Sequence, residues 1–148
     1  MEIFKIMKHV KTSWISKAGN KVEMPWGHEV SWASMSPGIN GKTIFMAAEN
    51  RSSLKYNRLK NESLLILSGE AIAEFGNELY MSNPALNPLT VQKMFPGDVL
   101  NVQSGCPYRI SAVTDCDIIE IGDHCKSEPV RIDDDYGRDT QDNESGEE

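Results

Sequence analysis

The residues best suited to chemistry lie in and around one short segment, YNRLKNESLLILSG, residues 56–69. Its carboxylate, Glu62, is a group that can act as a general base, and Lys55 lies just before the segment. The segment contains no histidine. Glu62 and the amide oxygen of Asn57 are too few donors for a divalent transition metal, which takes three or four N, O or S ligands. The segment therefore favours chemistry without a metal.

The histidines and cysteines elsewhere do not suggest a metal site or any other cofactor site. His9, His28 and His124 are far apart in the sequence, and Cys125 follows His124. A site built from His28, His124 and Cys125 has no spacing to support it, so isolated surface or core histidines are expected. The three cysteines are odd in number and form no Cys-x-x-Cys pair, which argues against a disulfide framework or a zinc knuckle.

Short apolar or alternating runs predict the elements that must position these side chains. They are separated by the turn signals SPGING, FGNE, SNPALNP, FPGD and QSGCP, at the spacing expected of an all-β sandwich or barrel. Residues 1–24 are ambiguous between an extra strand and a short external helix. The predicted strands are residues 28–32, 42–48, 63–69, 70–76, 99–102, 108–113 and 116–122.

Length and charge limit the classes of protein that this chain can belong to. With 148 residues, 39% of them hydrophobic, the chain fits one domain. The formal charge is -7, but residues 133–148 hold eight acids and one base, and the rest is neutral. Without a basic surface, nucleic acid and anionic membranes are not expected as partners. The start, MEIFKIMKHVK, lacks the continuous apolar run of a signal peptide, so a cytoplasmic location is expected.

Two half-motifs fall at the spacing of a double-stranded β-helix. Glu62 is followed by six residues and then Gly69, while Gly97 is followed by five residues, then residues 103–105 (QSG), then two more and Tyr108. This resembles the paired signature of the cupin superfamily, whose first half has two histidines, an acid and a glycine, and whose second half ends in a histidine. The resemblance implies an all-β, jelly-roll-like cupin barrel with Tyr108 in place of that last histidine.

Three further segments narrow the resemblance. MPWGHEV (24–30), SLKYNRLKNESLLILSG (53–69) and VRIDDDYGR (130–138) are similar to the isomerase domain of type II mannose-6-phosphate isomerase and mannose-1-phosphate guanylyltransferase. The match implies a cupin domain over residues 24–138, preceded by an N-terminal extension (1–23) and followed by an acidic, disordered tail (139–148). A nucleotidyltransferase activity is not expected, since the chain has no Gly-rich phosphate loop.

The resemblance also implies which side chains face the interior. If position 57 points inward like its family counterpart, then Ser53, Lys55 and Leu59 do so as well, because residues two apart in a strand share a face. Arg58 then points to solvent. We expect a concave, largely apolar pocket that presents four polar side chains to a small molecule. They are Lys55, Asn57, Glu62 and Tyr108.

The loss of the metal leaves Glu62 in need of another cation, because a buried carboxylate must be paired or protonated. Lys55 is the expected partner. A second interpretation makes Lys55 and Glu62 a plain ion pair that fills an inactive cavity, with Tyr108 replacing the volume of an imidazole. The remaining charged and aromatic residues are expected to be structural: surface charges at Lys42, Arg109 and Arg131, core anchors at Trp26 and Trp32, and a closing segment fixed by Asp133, Asp134 and Asp135.

Three functions follow from these expectations. The first is a metal-independent protein that binds a sugar or sugar phosphate. The second is an aldose-ketose isomerase like mannose-6-phosphate isomerase, with Glu62 as the catalytic base and Lys55 or Tyr108 as the electrophile. The third is a dimerisation module with a vestigial pocket. The expected partners are thus a small sugar and a second copy of the chain in a homodimer.

Overall fold

The computed structural model describes residues 10–35, 38–124 and 127–138. The predicted tail, residues 139–148, lies outside the described residues, as do His9 and Cys125. The described ranges contain eleven strands and a short 3-10 helix, Glu78–Tyr80. The strands are β1 (Lys21–Met24), β2 (Gly27–Ser34), β3 (Ile39–Met46), β4 (Leu54–Tyr56), β5 (Glu62–Ser68), β6 (Ala71–Phe75), β7 (Thr90–Met94), β8 (Val99–Val102), β9 (Tyr108–Ala112), β10 (Cys116–Asp123) and β11 (Val130–Asp133).

The strands form two antiparallel sheets between which the chain passes back and forth. One sheet has the order β1-β2-β3-β10-β5-β8, and the other has the order β11-β4-β9-β6-β7. From β3 onward the chain moves to the second sheet at β4, returns at β5, forms the hairpin β6-β7 in the second sheet, and then alternates between the sheets from β8 through β11. This is the winding of a double-stranded β-helix, so the all-β prediction is confirmed.

Each of the seven predicted strands overlaps an observed one, and the differences have physical reasons. For the ambiguous first 24 residues the structure gives a strand, β1, at their end. Strand β7 was not predicted because its sequence, TVQKM, is exposed except at Met94 and lacks the apolar signal of a core strand. Strand β4 is only three residues long, too short for a periodic pattern.

The inner face changes from polar to apolar along the strands. In β5, residues 62, 64 and 66 are buried in alternation, as the period of two requires. The same alternation in neighbouring strands places the polar members together at one end of the barrel. The inner rows, each starting at the polar end, are Glu62-Leu64-Ile66, Glu120-Ile118-Cys116, Lys42-Ile44-Met46 and Tyr108-Ile110-Ala112.

The hairpin between β5 and β6 depends on Gly69, the glycine of the first half-motif. Its φ is 89°, in the left-handed region that glycine occupies without strain. A Cβ at this position would also collide with the backbone carbonyl of Asp115. The motif glycine is therefore required both by the turn and by the close approach of the chain before β10.

Strand β11 and the residues after it form a closing segment, residues 130–138, that side-chain ion pairs hold in place. Arg109 is only 4% exposed, and it donates to the carbonyl of Ser52 and to the side chain and carbonyl of Asp133. Arg51 pairs with Asp135. The expectation that Arg109 is a surface charge is wrong, because the closing segment covers it.

Two smaller predictions have different outcomes. The three aspartates of the closing segment do fix it, since Asp134 binds Arg138 while the other two pair with cations of the barrel. Trp26 is a core anchor at 5% exposure, whereas Trp32 is 44% exposed and lies on the outer face over Gly41, where its indole donates to the Thr43 hydroxyl.

In the part of the chain that the structure describes, no helix is long and apolar enough to cross a membrane.

Candidate functional site

A cavity of about 230 Å³ lies at the polar end of the barrel. Both sheets contribute to its wall, and the closing segment contributes from above. Its deeper wall is apolar, with Leu64, Ile110 and Ile118 among the lining residues. The polar and charged lining residues are Glu29, Lys42, Ser52, Ser53, Lys55, Asn57, Lys60, Glu62, Tyr108, Glu120, Ser127, Glu128, Arg131 and Arg138. All four residues expected in the pocket, Lys55, Asn57, Glu62 and Tyr108, therefore line one cavity.

Glu62 is the most connected of the four expected residues. It is 6% exposed, and its Oε1 accepts hydrogen bonds from the Asn57 side-chain amide and from the Tyr108 hydroxyl, the latter at 3.0 Å. Tyr108 is itself 1% exposed. Burial raises the pKa of Tyr108 well above its usual value, and the nearby carboxylates of Glu120 and Glu62 raise it further. The phenol thus keeps its proton and donates to Glu62.

The cation beside Glu62 is Lys60, not Lys55. The Lys60 Nζ lies 3.5 Å from Glu62 Oε2 and 4.0 Å from Glu120 Oε2, with only 15% of the lysine side chain exposed. The prediction that Lys55 is the cation paired with Glu62 is therefore wrong. Strand β4 ends at Tyr56, so the alternation of strand faces does not extend through the loop that follows.

The same loss of alternation corrects a second expectation. Leu59, predicted to point inward, is 72% exposed. The neighbouring Arg58 is exposed, as predicted. In the loop between β4 and β5 the chain therefore presents Lys60 to the cavity and turns Leu59 toward solvent.

Five side chains form a continuous row of alternating charge, which we call the charge chain: Glu29, Lys42, Glu120, Lys60 and Glu62. Lys42 Nζ lies 3.0 Å from Glu29 Oε2 and 3.6 Å from Glu120 Oε2. Each lysine is thus shared by two carboxylates. The row crosses β2, β3 and β10 and ends at Glu62 on β5. Buried or half-buried carboxylates are tolerated here because each has a cation within 4 Å.

Burial and charge act in opposite directions on the members of the chain. Burial raises the pKa of Glu120, the Glu62 carboxylate raises it further, and the lysines lower it only in part. For Lys42, burial opposes protonation, but the carboxylates of Glu120 and Glu29 hold its pKa above the usual value. Lys42 therefore remains an ammonium ion between Glu29 and Glu120.

The position of Lys60 depends on a glycine beneath it. A Cβ on Gly122 would lie 2.8 Å from Lys60 Cε and 2.7 Å from the carbonyl oxygen of Asn61. The loop is held by Asn61, whose backbone N–H donates to the Asp123 carboxylate and whose side chain accepts from the Ser104 N–H. Gly122 thus makes room for a lysine whose loop is fixed on both sides.

Lys55 occupies a different environment from the other two cavity lysines. Its Nζ lies 5.3 Å from the centroid of the Tyr108 ring, a cation–π distance. Within the described ranges, no carboxylate lies within salt-bridge distance of it. Burial lowers the pKa of Lys55, and the charges of Lys42 and Arg131 add to this effect against the opposing carboxylates.

The residues at this site do not fit the transition metal that the cupin resemblance implies. Of the histidine positions of the motif, one holds Asn57, one holds the exposed Leu59, and one holds Tyr108, which is not free because it donates to Glu62. The ammonium of Lys60 lies against the one remaining carboxylate ligand and would repel a dication. Among residues 10–35, 38–124 and 127–138 no group of three histidine, cysteine, aspartate or glutamate side chains could hold a metal ion.

The described histidines have separate partners. His28 stacks on Phe45 with ring centroids 5.1 Å apart, and His124 Nδ1 lies 2.8 Å from Asn40 Oδ1. Neither lines the cavity. They remain isolated histidines, as expected from their spacing.

Sequence reasoning missed Glu29, Lys60 and Glu120, and it placed Lys42 and Arg131 on the surface. The signal for two of them was present. Glu120 and Lys42 each continue a run of inward apolar residues at a spacing of two, so parity alone assigns them to the interior. Lys60 carried no such signal because its orientation is set by a loop.

Structural comparisons identify the fold. The chain has the cupin fold: it superimposes on the cupin domain of Schizosaccharomyces pombe Cnp3 with a TM-score of 0.54 and 16% identity, covering 65% of this chain and 63% of that one. KdgF from Halomonas sp. superimposes with a TM-score of 0.60 and 10% sequence identity, and the match covers 72% of this chain and 89% of KdgF. The capsular polysaccharide assembling protein CapF from Staphylococcus aureus superimposes with a TM-score of 0.63 and 11% sequence identity, and the match covers 82% of this chain and 33% of CapF.

Identities this low carry the fold alone. Compared by sequence, the chain matches no protein-family model and no curated protein. It spans most of KdgF but only about a third of CapF. Function must therefore be argued from the cavity and its side chains.

Proposed function

We propose that this chain is a metal-independent cupin that binds a monosaccharide or a sugar phosphate in the cavity. The observation that carries the proposal is the charge chain, which places ammonium and carboxylate groups alternately along one wall. The volume supports a ligand of this size, since about 230 Å³ is below the roughly 300 to 1,000 Å³ of pockets for drug-sized molecules.

Alternating charge suits a polyol better than an apolar or purely anionic ligand. A sugar hydroxyl donates one hydrogen bond and accepts others, so neighbouring hydroxyls can bridge a carboxylate and an adjacent ammonium. Hydrogen bonds to charged groups are also the stronger ones. The apolar wall formed by Leu64, Ile110 and Ile118 offers a surface for the carbon face of the ring.

One corner of the cavity favours an anionic group on the sugar. Arg131 lines this corner, and the register of β11 on β4 places Arg131 beside Lys55. Since an arginine remains charged at every accessible pH, this corner supports phosphate binding.

Lys60 supports independence from metal. Its ammonium provides Glu62 with a positive charge that requires no ion from solution. The resemblance of three sequence segments to the isomerase domain of type II mannose-6-phosphate isomerase, and the role of CapF in assembling a capsular polysaccharide, both support a sugar as the ligand.

An isomerase of the mannose-6-phosphate type is the alternative, and one contact favours it. The Tyr108 hydroxyl lies 3.0 Å from Glu62, so a carboxylate base and a phenol donor stand together at the cavity wall. Aldose-ketose exchange needs such a base to move a proton between adjacent carbons and a donor to polarise the carbonyl. In this alternative Glu62 is the catalytic base, with Tyr108 or Lys55 as the electrophile.

Calorimetric titration with mannose 6-phosphate and with mannose tests the proposal. We expect saturable binding that is unchanged by a chelator, is tighter for the phosphate, and is weakened in Lys42→Met. The matched control is Lys93→Met, a lysine with a 67% exposed side chain outside the cavity. Absence of binding to either sugar, or binding that requires added metal, contradicts the proposal. Formation of fructose 6-phosphate without added metal would favour the alternative.

A further inference from the structure

We infer that the amine of Lys55 forms a reversible imine with the carbonyl carbon of a small sugar-derived aldehyde or ketone held in the cavity. This inference rests on the proposed function, since the cavity must first bind the sugar. It assigns to Lys55 the role of a nucleophile, which differs from a lysine that only binds an anion or polarises a carbonyl.

The geometry distinguishes Lys55 from the other two lysines of the cavity. Lys42 and Lys60 each lie within 4.0 Å of two carboxylate groups, so both amines are engaged in salt bridges. Lys55 lines the same cavity, but in the described part of the chain its Nζ contacts an aromatic face instead of a carboxylate. Its amine therefore faces the space that a ligand would occupy without a competing salt bridge.

The charges around Lys55 favour the neutral amine, which is the nucleophilic form. Burial is the main cause of its lowered pKa. Desolvation next to another cation is a general way to activate a lysine for imine formation. Here the neighbouring cations are Lys42 and Arg131.

The wall also supplies groups for the proton transfers. The nitrogen lone pair attacks the carbonyl carbon, and the carbonyl oxygen takes up the proton that the nitrogen loses, which gives a carbinolamine. Its hydroxyl is then protonated and leaves as water while the nitrogen forms the C=N bond, and the nitrogen returns its remaining proton to the group that supplied the first. The hydrogen-bonded pair of Tyr108 and Glu62 lies beside Lys55 and can relay that proton. The products are the imine and one water, so no oxidant or reductant is consumed.

Trapping with borohydride tests the inference on the full-length chain. The probe is D-glyceraldehyde 3-phosphate, and borohydride reduces any imine to a stable secondary amine that peptide mapping locates. We expect one adduct, on Lys55, forming about tenfold or more faster than adducts on exposed lysines, because the cavity holds the sugar phosphate next to this amine and makes the reaction effectively unimolecular. Lys55→Arg, which keeps the charge but not the nucleophile, should lose the adduct. Lys93→Arg is the matched control and should keep it.

A polyol phosphate without a carbonyl separates this inference from the proposed function. Glucitol 6-phosphate should bind in calorimetry, should give no adduct, and should slow labelling of Lys55 by the aldehyde. Binding of glucitol 6-phosphate without preferential labelling of Lys55 overturns the imine and leaves the proposed function standing. Labelling spread over exposed lysines, or unchanged in Lys55→Arg, overturns it as well. Failure of both binding and labelling overturns both proposals.

Discussion

Lys60 Nζ lies 3.5 Å from Oε2 of Glu62, the acid of the segment that resembles the cupin signature. The carboxylate is 3% exposed and the lysine side chain 15% exposed, so water screens the pair only weakly. The lysine belongs to the barrel's own chain, and Gly122 and Asn61 fix its place. The positive charge at the centre of this cupin site is therefore built in covalently.

Removal of that charge should be costly. Lys60→Met leaves Glu62 and Glu120 without their shared cation, and we expect the free energy of unfolding to fall by about 3 kcal/mol. Chemical denaturation measures it. Lys21→Met, which removes a lysine from an exposed pair with Glu23, is the matched control and should change stability far less. Equal effects of the two substitutions would show that the Lys60 pair is screened like a surface pair.

A double-mutant cycle distinguishes the two lysines near Glu62. Glu62→Gln removes the charge while its side-chain oxygen still accepts from Asn57 and Tyr108. Combined with Lys60→Met, it should show a coupling energy of roughly 1 to 3 kcal/mol, as contacting ionic groups do. Combined with Lys55→Met, the coupling should be clearly smaller, since no salt bridge joins Lys55 to Glu62. A larger coupling energy with Lys55 than with Lys60 would instead support the Lys55–Glu62 pair that the sequence suggested.

Gly122→Ala tests the space under Lys60. The added Cβ would meet Lys60 Cε and the carbonyl of Asn61, so the loop must shift, at a cost of about 1 to 3 kcal/mol. Sugar phosphate binding should weaken with it. Ile121→Ala, at an exposed position on the same strand, is the control and should leave binding unchanged. Unaltered binding in Gly122→Ala would show that Lys60 does not need this position.

Glu120 makes stability depend on pH. Because its pKa is raised in the folded state, the folded protein holds a proton there that the unfolded chain has already lost. Stability should therefore fall as pH rises from the usual carboxyl pKa, 4.5, through the higher folded-state value. Comparison of wild type with Glu120→Gln by thermal denaturation from pH 4 to about 8 checks this. Glu120→Gln should show a smaller fall in stability with rising pH than the wild type. Identical dependence of stability on pH in both proteins would contradict the raised pKa of Glu120.

Arg109 should hold the closing segment. Arg109→Lys cannot reproduce the fork that binds the Ser52 carbonyl, one carboxylate oxygen of Asp133 and the Asp133 carbonyl. We therefore expect the free energy of unfolding to fall by about 2 kcal/mol and proteolysis near β11 to become faster. Arg51→Lys, at an exposed pair with Asp135, is the control and should have a much smaller effect. Equal protease sensitivity in both variants would show that Arg109 is not the main contact that holds the closing segment.

The sequence predicted the fold better than the site because the two are encoded differently. Gly69 marks a chain reversal that only glycine accommodates, so its spacing from Glu62 is visible in the sequence. Strand parity correctly placed Lys55 and Tyr108 at one cavity. Parity fails where a strand ends: in the loop after β4, Leu59 is exposed although it was expected to point inward, and Lys60, for which nothing was predicted, lines the cavity. The burial of Arg109 depends on a segment more than twenty residues later, which no local pattern reveals.

The charge chain also restricts how this sequence can diverge. Because each lysine is shared by two carboxylates, a single exchange at Lys42, Lys60 or Glu120 leaves an unbalanced charge in the interior. Tolerated changes at these positions should occur together, so they should covary among homologous sequences. In particular, homologues with histidine at position 57 and at position 108 should lack lysine at position 60 and have no need of glycine at 122. We therefore expect a bound metal and a lysine at position 60 to exclude one another among homologues.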